Sequence, residues 1–399
     1  MKRIAFCYIT PFHPNKGGIG RVTDTLTREF QKRGHEVFYL IFESGITIKH
    51  EFDYPAKLTY LPSKELLSEK NIKFYHKFLL DNKIDIIIDQ GGNFAEYPLW
   101  LNVGSSKAKR ISVIHTYDTG TYRNLWNLGV VPLRGPSMKD HLKRIARIVL
   151  YPRTRRNLYT RMTSSYRGML ELTDHVVALS DKFLPELTDI CPGIEKKISF
   201  IGNPNPYTET QLEATRAEKK KHILFVGLFG APKGEDKAAL IWKKLFAKYP
   251  DWTFNMIGYG NTMRTDRIKQ IVADIPNFKL LGFQNPLPYQ QEASIACMTS
   301  PHEGWGMVLT EAMQCGAVPI AYDSFASASE IIQSGYNGEL VTPFDEQEYI
   351  TKLTKLIEDE SYRNQLSENA RISVNRFSVQ AIADRWEDLF NKLLAPATE

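Results

Sequence analysis

The sequence predicts an α/β protein of two doubly wound parallel-sheet domains whose halves face a cleft. Three observations predict it. The chain opens on a strand, glycine loop, helix, strand unit, the same pattern restarts after residue 222, and charge divides the chain near its middle. The 399 residues hold 51 Lys+Arg and 45 Asp+Glu, a net charge of +6. Residues 1–200 hold 31 Lys+Arg against 20 Asp+Glu, so that half carries +11 and the remainder −5. This asymmetry sets a boundary near residue 205 and gives the first half an anionic partner. Hydrophobic and charged fractions of 43% and 24% are ordinary for a globular chain, and disorder is not expected.

In chain order, Ile4 to Ile9 reads as a buried strand that ends at Thr10-Pro11-Phe12-His13, too short for a signal-peptide core. After Gly17-Gly18-Ile19-Gly20, the apolar Val22, Leu26 and Phe30 recur every fourth residue up to a Lys32-Arg33-Gly34 stop, and Val37 to Phe42 is the next strand. Ile84 to Asp89 and Arg110 to Ile114 are buried-strand runs that deliver Gln90-Gly91-Gly92 and His115 to the sheet edge where doubly wound folds bind ligands. Val176 to Ser180 and Ile198 to Gly202 continue the sheet. Residues 202–222, polar and proline-bearing, read as a linker. His222 to Val226, a loop to Gly234, a helix from Lys237 to Leu245 and a strand from Trp252 to Ile257 then repeat the opening pattern. The last helix spans Val379 to Leu394, and no stretch approaches the roughly 18 apolar residues of a spanning helix. The cysteines, Cys7, Cys191, Cys297 and Cys315, are scattered without a C-x-x-C pair, which points to a reduced, cytosolic protein without structural zinc.

The richest stretch runs from Ser300 to Pro319. Ala293 to Met298 is apolar, and Val308, Leu309, Ala312 and Met313 fall at helical spacing, so His302 to Gly306 is a loop feeding a helix N-terminus. Its glycines admit close backbone approach, and the free N–H groups of the first turn suit a phosphate. Glu303 and Glu311 stand eight residues apart, roughly 8–12 Å along one cleft, and as acceptors they suit the hydroxyls of a long sugar ligand. The plain alternative is that Glu303 caps the helix and Glu311 is solvated. Lys233, before a helix, places a cation where a diphosphate could leave, or is a surface lysine beside a turn.

Glu303-Gly-Trp-Gly, Glu311-Ala-Met and Cys315-Gly-Ala-Val-Pro together resemble the E-x7-E signature of retaining glycosyltransferases of family 4, which have the GT-B fold of two Rossmann-like domains. The resemblance implies that Glu303 contacts the donor sugar, Glu311 the ribose, and the backbone of Gly306, Met307 and Val308 the diphosphate. It implies further that Gly17 and Gly18 lie beside donor and acceptor, that Phe283 touches the nucleobase, that His115 lies near the donor hexose, and that Lys233 binds phosphate. Leu228 stands where the family carries an arginine, so Arg264, another base or a changed geometry must compensate. Ala326-Ser327-Ala328-Ser329 replaces a usual Gly-Gly. The domains implied are 1–205 for the acceptor, 206–375 for the nucleotide sugar, and 376–399 as a helix crossing back to the first.

Ten Lys/Arg lie between Arg134 and Arg167 against one acid, Asp140. Leu142, Ile145, Ile148, Val149 and Leu150 interleave with Arg144, Arg147, Arg153, Arg155 and Arg156, a basic amphipathic region fit for an anionic bilayer or for Arg stems covering a core. No nucleic-acid module accompanies the charge, so nucleic acid is not the expected partner. The activity implied is retaining, metal-independent hexosyl transfer from a UDP- or GDP-sugar to a glycan or lipid-linked acceptor in bacterial surface polysaccharide synthesis. It needs no cofactor, and the expected location is cytoplasmic, peripheral on the membrane's inner face. A nucleotide-sugar epimerase or hydrolase, or a catalytically silent nucleotide-sugar or membrane-binding module, remains as an alternative.

Overall fold

The computed structural model describes residues 1–14, 17–42, 52–94, 96–115, 138–230 and 232–396, without the side chains of residues 139, 140 and 144. It divides into two compact units, Met1–Pro204 with Val379–Glu399, and Asn205–Ser378.

Unit 1 is a seven-stranded parallel sheet. Its strands are β1 (Arg3–Tyr8), β2 (Glu36–Ile41), β3 (Leu58–Tyr60), β4 (Ile86–Asp89), β5 (Lys109–Ile114), β6 (His175–Ala178) and β7 (Ile198–Phe200), in the order β3-β2-β1-β4-β5-β6-β7. The order reverses between β1 and β4. Helix α1 (Gly18–Lys32) buries Val22, Leu26 and Phe30, the residues whose four-residue recurrence marks its inner face. Helix α2 (Glu69–Asp81) starts at Ser68, whose hydroxyl accepts from the Asn71 N–H. The C-terminal helix Val379–Leu394 belongs to this unit: Phe390 lies 5.6 Å from Phe30 between ring centroids, and Glu387 accepts from Arg33 Nη1 at 2.7 Å. The basic stretch forms one helix, α3 (Met138–Leu172), with Pro152 inside it. Its C-terminal half packs through Met162, Tyr166 and Met169, each at most 2% exposed.

Unit 2 repeats the plan with six parallel strands. These are β8 (Lys220–Val226), β9 (Thr253–Ile257), β10 (Phe278–Gly282), β11 (Ala293–Met298), β12 (Val318–Tyr322) and β13 (Glu339–Val341), ordered β10-β9-β8-β11-β12-β13 with a reversal between β8 and β11. Helices α4 (Glu235–Lys243), α5 (Thr262–Val272) and α6 (Met307–Gln314) follow β8, β9 and β11. Ile223, Phe225, Trp242, Phe254, Ile295 and Ile320 form the centre of its core.

Two expectations need correction. The linker region is not structureless, because Thr208 and Gln211 close a capping box that starts a helix at Glu209–Ala214, and β8 begins at Lys220 rather than His222. The helix expected from Lys237 begins at Glu235, since Gly234 takes the left-handed conformation that opens it. All four cysteines are free and buried.

Candidate functional site

In an open parallel sheet, the loops leaving the two strands on either side of the order reversal part company and leave a crevice at the strands' carboxyl ends. In unit 2 those strands are β8 and β11. Their loops are residues 227–234, of which 231 lies outside the described residues, and residues 299–306, the two stretches that the sequence marks for phosphate chemistry. They are tied together: the Thr299 hydroxyl donates to the Gly234 carbonyl at 2.7 Å. Gly234 has φ +66°, and a Cβ there would fall 2.3 Å from the Thr299 carbonyl, so the approach requires glycine.

This closure brings Lys233 onto Glu303. The ammonium donates to both carboxylate oxygens, at 2.6 and 2.8 Å, and the Ser300 hydroxyl donates to one of them at 2.8 Å. The side chains are 32% and 11% exposed, so the pair is screened from water on most sides but reachable. Glu303 therefore binds side chains rather than capping the helix, and Lys233 is not an isolated surface lysine. The loop between them and α6 is held from beneath, where the Ser327 hydroxyl bonds the carbonyls of Gly304 and Trp305 at 2.9 and 3.1 Å. Gly306, at φ +86°, turns the chain into α6, and Met307 and Val308 lie half-buried at its first turn.

Glu311 is 2% exposed, not a solvated helix residue. It accepts from Gln290 Nε2 at 3.2 Å, and Gln290 in turn accepts from the Tyr207 hydroxyl at 2.7 Å. Phe283 is 64% exposed and meets Tyr259 edge-to-face with ring centroids 5.7 Å apart. Leu228 is 52% exposed. Arg264 bonds Glu235.

Unit 1 has its own crevice, between β1 and β4. His115, at the end of β5, has its Nε2 against Gln90 Oε1 at the end of β4, and burial pushes its pKa down to about 4, so near neutrality it is an uncharged hydrogen-bonding group. His115 and Gln90 line a small pocket with Val22, Leu26, Asn203 and Trp386. Gly17, at φ +111°, is the residue before α1, and both it and Gly18 are exposed. On α3, Arg147, Arg153, Arg155 and Arg156 are exposed; the Arg144 side chain and residues 116–137, with Arg134, lie outside the described residues.

Sequence reasoning did not find Ser300, Ser327, Gln290 or Glu235. The first three are neutral side chains whose partners become visible only in the folded chain, and Glu235 passes for a solvated acid at a helix start.

The sequence matches two family models, "Glycosyltransferase Family 4" over residues 16–204 and "Glycosyl transferases group 1" over residues 208–373. Among relatives, an uncharacterized glycosyltransferase of Haemophilus influenzae is 28% identical over 201 residues, 48% of this chain and 54% of its own. The capsular polysaccharide biosynthesis glycosyltransferase CapM of Staphylococcus aureus is 24% identical over 237 residues, 55% of this chain and 62% of its own. The chain spans about half the length of the first of these. Among solved structures, a mutant of S. aureus TarM in complex with Fondaparinux, alpha-GlcNAc-glycerol and UDP superposes with a TM-score of 0.72 at 13% identity, covering 98% of this chain and 100% of that one. This likeness shows the fold, an α/β GT-B architecture of two Rossmann-like domains.

Proposed function

The chain belongs to the group 1, family 4 glycosyltransferases, and from that membership we propose that it moves a hexose from a UDP- or GDP-sugar to a glycan or lipid-linked acceptor of bacterial surface polysaccharide, with retention at the anomeric carbon. The observation that carries the reading is the Lys233–Glu303 pair at the sheet reversal of unit 2, a cation and an acceptor side by side above a helix N-terminus. Lys233 and the N–H groups of Met307 and Val308 receive the diphosphate. Glu303 accepts from hexose hydroxyls and Glu311 from the ribose. Both Glu303 oxygens are engaged by Lys233, so we assign that carboxylate no nucleophilic role and follow the family resemblance: the acceptor oxygen bonds the anomeric carbon on the face the diphosphate leaves, the glycosidic C–O bond to phosphate breaks, and the acceptor proton passes to the departing phosphate oxygen. Positioning and charge stabilisation then supply the rate. The relative CapM, by its name, serves capsular polysaccharide biosynthesis, and the TarM structure holds UDP; both support the substrate classes named.

A thermal-shift panel of UDP, GDP, ADP and their sugar conjugates tests this. The matching nucleotide is expected to stabilise the fold by about 2.7 kcal/mol at a hundred times its Kd. No shift with any of them would overturn the donor-binding reading in favour of a catalytically silent module.

Glu311→Ala is expected to weaken nucleoside diphosphate binding about ten-fold, by removing a charged acceptor and leaving the Gln290 amide unpaired. Titration calorimetry checks this, and affinity unchanged within two-fold would remove Glu311 from the ribose site.

The acceptor side is proposed to rest on a lipid surface. Every described residue of α3 from 141 to 150 is exposed, and Met138, Leu142, Ile145 and Val149, 57% to 77% exposed, recur at four, three and four residues to form one apolar stripe. Among the described residues no helix is long and apolar enough to cross a membrane. A stripe of that kind bordered by arginines suits the interface of an anionic bilayer. Replacing Arg153, Arg155 and Arg156 by Ser is expected to lower binding to phosphatidylglycerol vesicles at least about ten-fold at low salt. Unchanged sedimentation would overturn it.

A further inference from the structure

Resting on the donor-site reading above, the structure assigns Arg264 as a second cation for the donor diphosphate, with Glu235 as the residue that positions it. The need for one follows from the charge at the loop. Lys233 is held by both oxygens of Glu303, so the two sum to zero, and a diphosphate arriving there meets little net positive potential. Leu228, on the same loop, offers none.

Arg264 lies on the first turn of α5, and the loop that leads into α5 is bonded to the loop that carries Lys233. The Gly227 N–H donates to the Ile257 carbonyl at 3.0 Å and the Phe229 N–H to the Tyr259 carbonyl at 2.7 Å. Asn261 then caps α5 by accepting from the Arg264 N–H at 3.0 Å, which fixes the residue's backbone. From there the guanidinium reaches across to Glu235 Oε1 at 3.0 Å. Glu235 is two residues beyond Lys233, no more than about 7 Å of chain, so both cations are anchored at the same end of the loop.

The form of the contact distinguishes this arginine from one that serves only to neutralise an acid. Arg110 grips Asp174 with two nitrogens, Nε at 2.9 Å and Nη2 at 2.8 Å. Arg264 gives Glu235 a single nitrogen, and that is its side chain's one hydrogen bond among the described residues. A guanidinium has five N–H donors in a planar fork suited to phosphate oxygens, and here the remainder stay uncommitted on a side chain 31% exposed. Glu235 is 1% exposed, and its Oε2 is buried without a hydrogen-bond partner. A buried carboxylate retained with half its acceptors unused is costly unless it fixes something; here it fixes the direction of the Arg264 side chain.

The test is calorimetric binding of UDP and GDP, with UMP and GMP as controls, to the full chain and to Arg264→Ala and Arg264→Lys. Arg264→Ala is expected to weaken the diphosphate that wild type prefers at least about ten-fold, to change the corresponding monophosphate by less than about three-fold, and to be partly rescued by Arg264→Lys. Should Arg264→Ala fold poorly with Glu235 left unpaired, the double variant Glu235→Leu with Arg264→Ala removes both charges, and the same loss is expected. Wild-type affinity for the diphosphate in a folded variant overturns the assignment, as does an equal loss for mono- and diphosphate accompanied by a lower Tm, the mark of a purely structural ion pair. If wild type binds none of the four nucleotides, the donor-site reading itself falls, and the assignment with it.

Discussion

Glu303→Ala is expected to lower sugar transfer by roughly 10² to 10³-fold while nucleoside diphosphate affinity holds or rises. The two halves of this expectation come from one geometry. Glu303 is 11% exposed, takes two bonds from Lys233 and one from Ser300, and therefore sits in a site where a hydrogen bond to a carboxylate is stronger than in water. Proposed as the acceptor for hexose hydroxyls, it holds the anomeric carbon within reach of the incoming oxygen on the face the diphosphate leaves, and loss of that positioning is felt in the rate. The nucleotide alone has no hexose to lose. What changes for it is Lys233, whose ammonium is released from the carboxylate that neutralised it, so UDP or GDP binds several-fold more tightly, not less. Initial rates with the nucleotide sugar and calorimetry with the free diphosphate separate the two effects. Transfer kept within ten-fold, or nucleotide affinity lost alongside it, would remove Glu303 from the sugar site.

How much of this site could be read from residues alone depends on what each position needed. The apolar run Ala293–Met298 and the helix Val379–Leu394 stand where their patterns put them, because the strand is buried along its whole length and the helix buries one continuous face. The helix at Glu209–Ala214 was legible in Thr208-x-x-Gln211, but a stretch rich in proline and lysine hides a capping box behind a linker's composition. The sheet order puts β8 beside β11, and with it Lys233 beside Glu303; each residue could be marked on its own, whereas their direct pairing required the loops closed at Gly234. Glu235 is the clearest case of the illegible. Its partner Arg264 lies 29 residues away on the next helix, and no periodicity links them. The run of arginines on α3 was plain, yet charge does not say that every described residue from 141 to 150 is exposed.

Lys233→Ala is the complementary substitution, and it is expected to lower transfer by roughly 10² to 10³-fold and to weaken the free diphosphate about ten-fold, the opposite nucleotide response to Glu303→Ala. The leaving diphosphate gains charge as the glycosidic bond breaks, and Lys233 is the cation fixed at the end of β8's loop to meet it. Its placement does not depend on Glu303 alone, since the Ser300 hydroxyl lies 3.4 Å from the Lys233 carbonyl and the adjoining Gly234 carbonyl accepts from Thr299. Removing the ammonium leaves Glu303 with Ser300, in a loop still open to water on one side, so unfolding is not the expected result. Arginine at 233 keeps the charge but places it on a wider, planar group, and is expected to recover nucleotide affinity more than turnover. The decisive comparison is the double variant. If the pair acts as a unit on one substrate, Glu303→Ala combined with Lys233→Ala costs transfer little more than the worse single change, because either loss already dismantles the geometry the other serves. Rates that fall by the full product of the two single losses would mean that the residues act independently, and the pairing at 2.6 Å would then be a contact of the unliganded protein rather than a part of its chemistry.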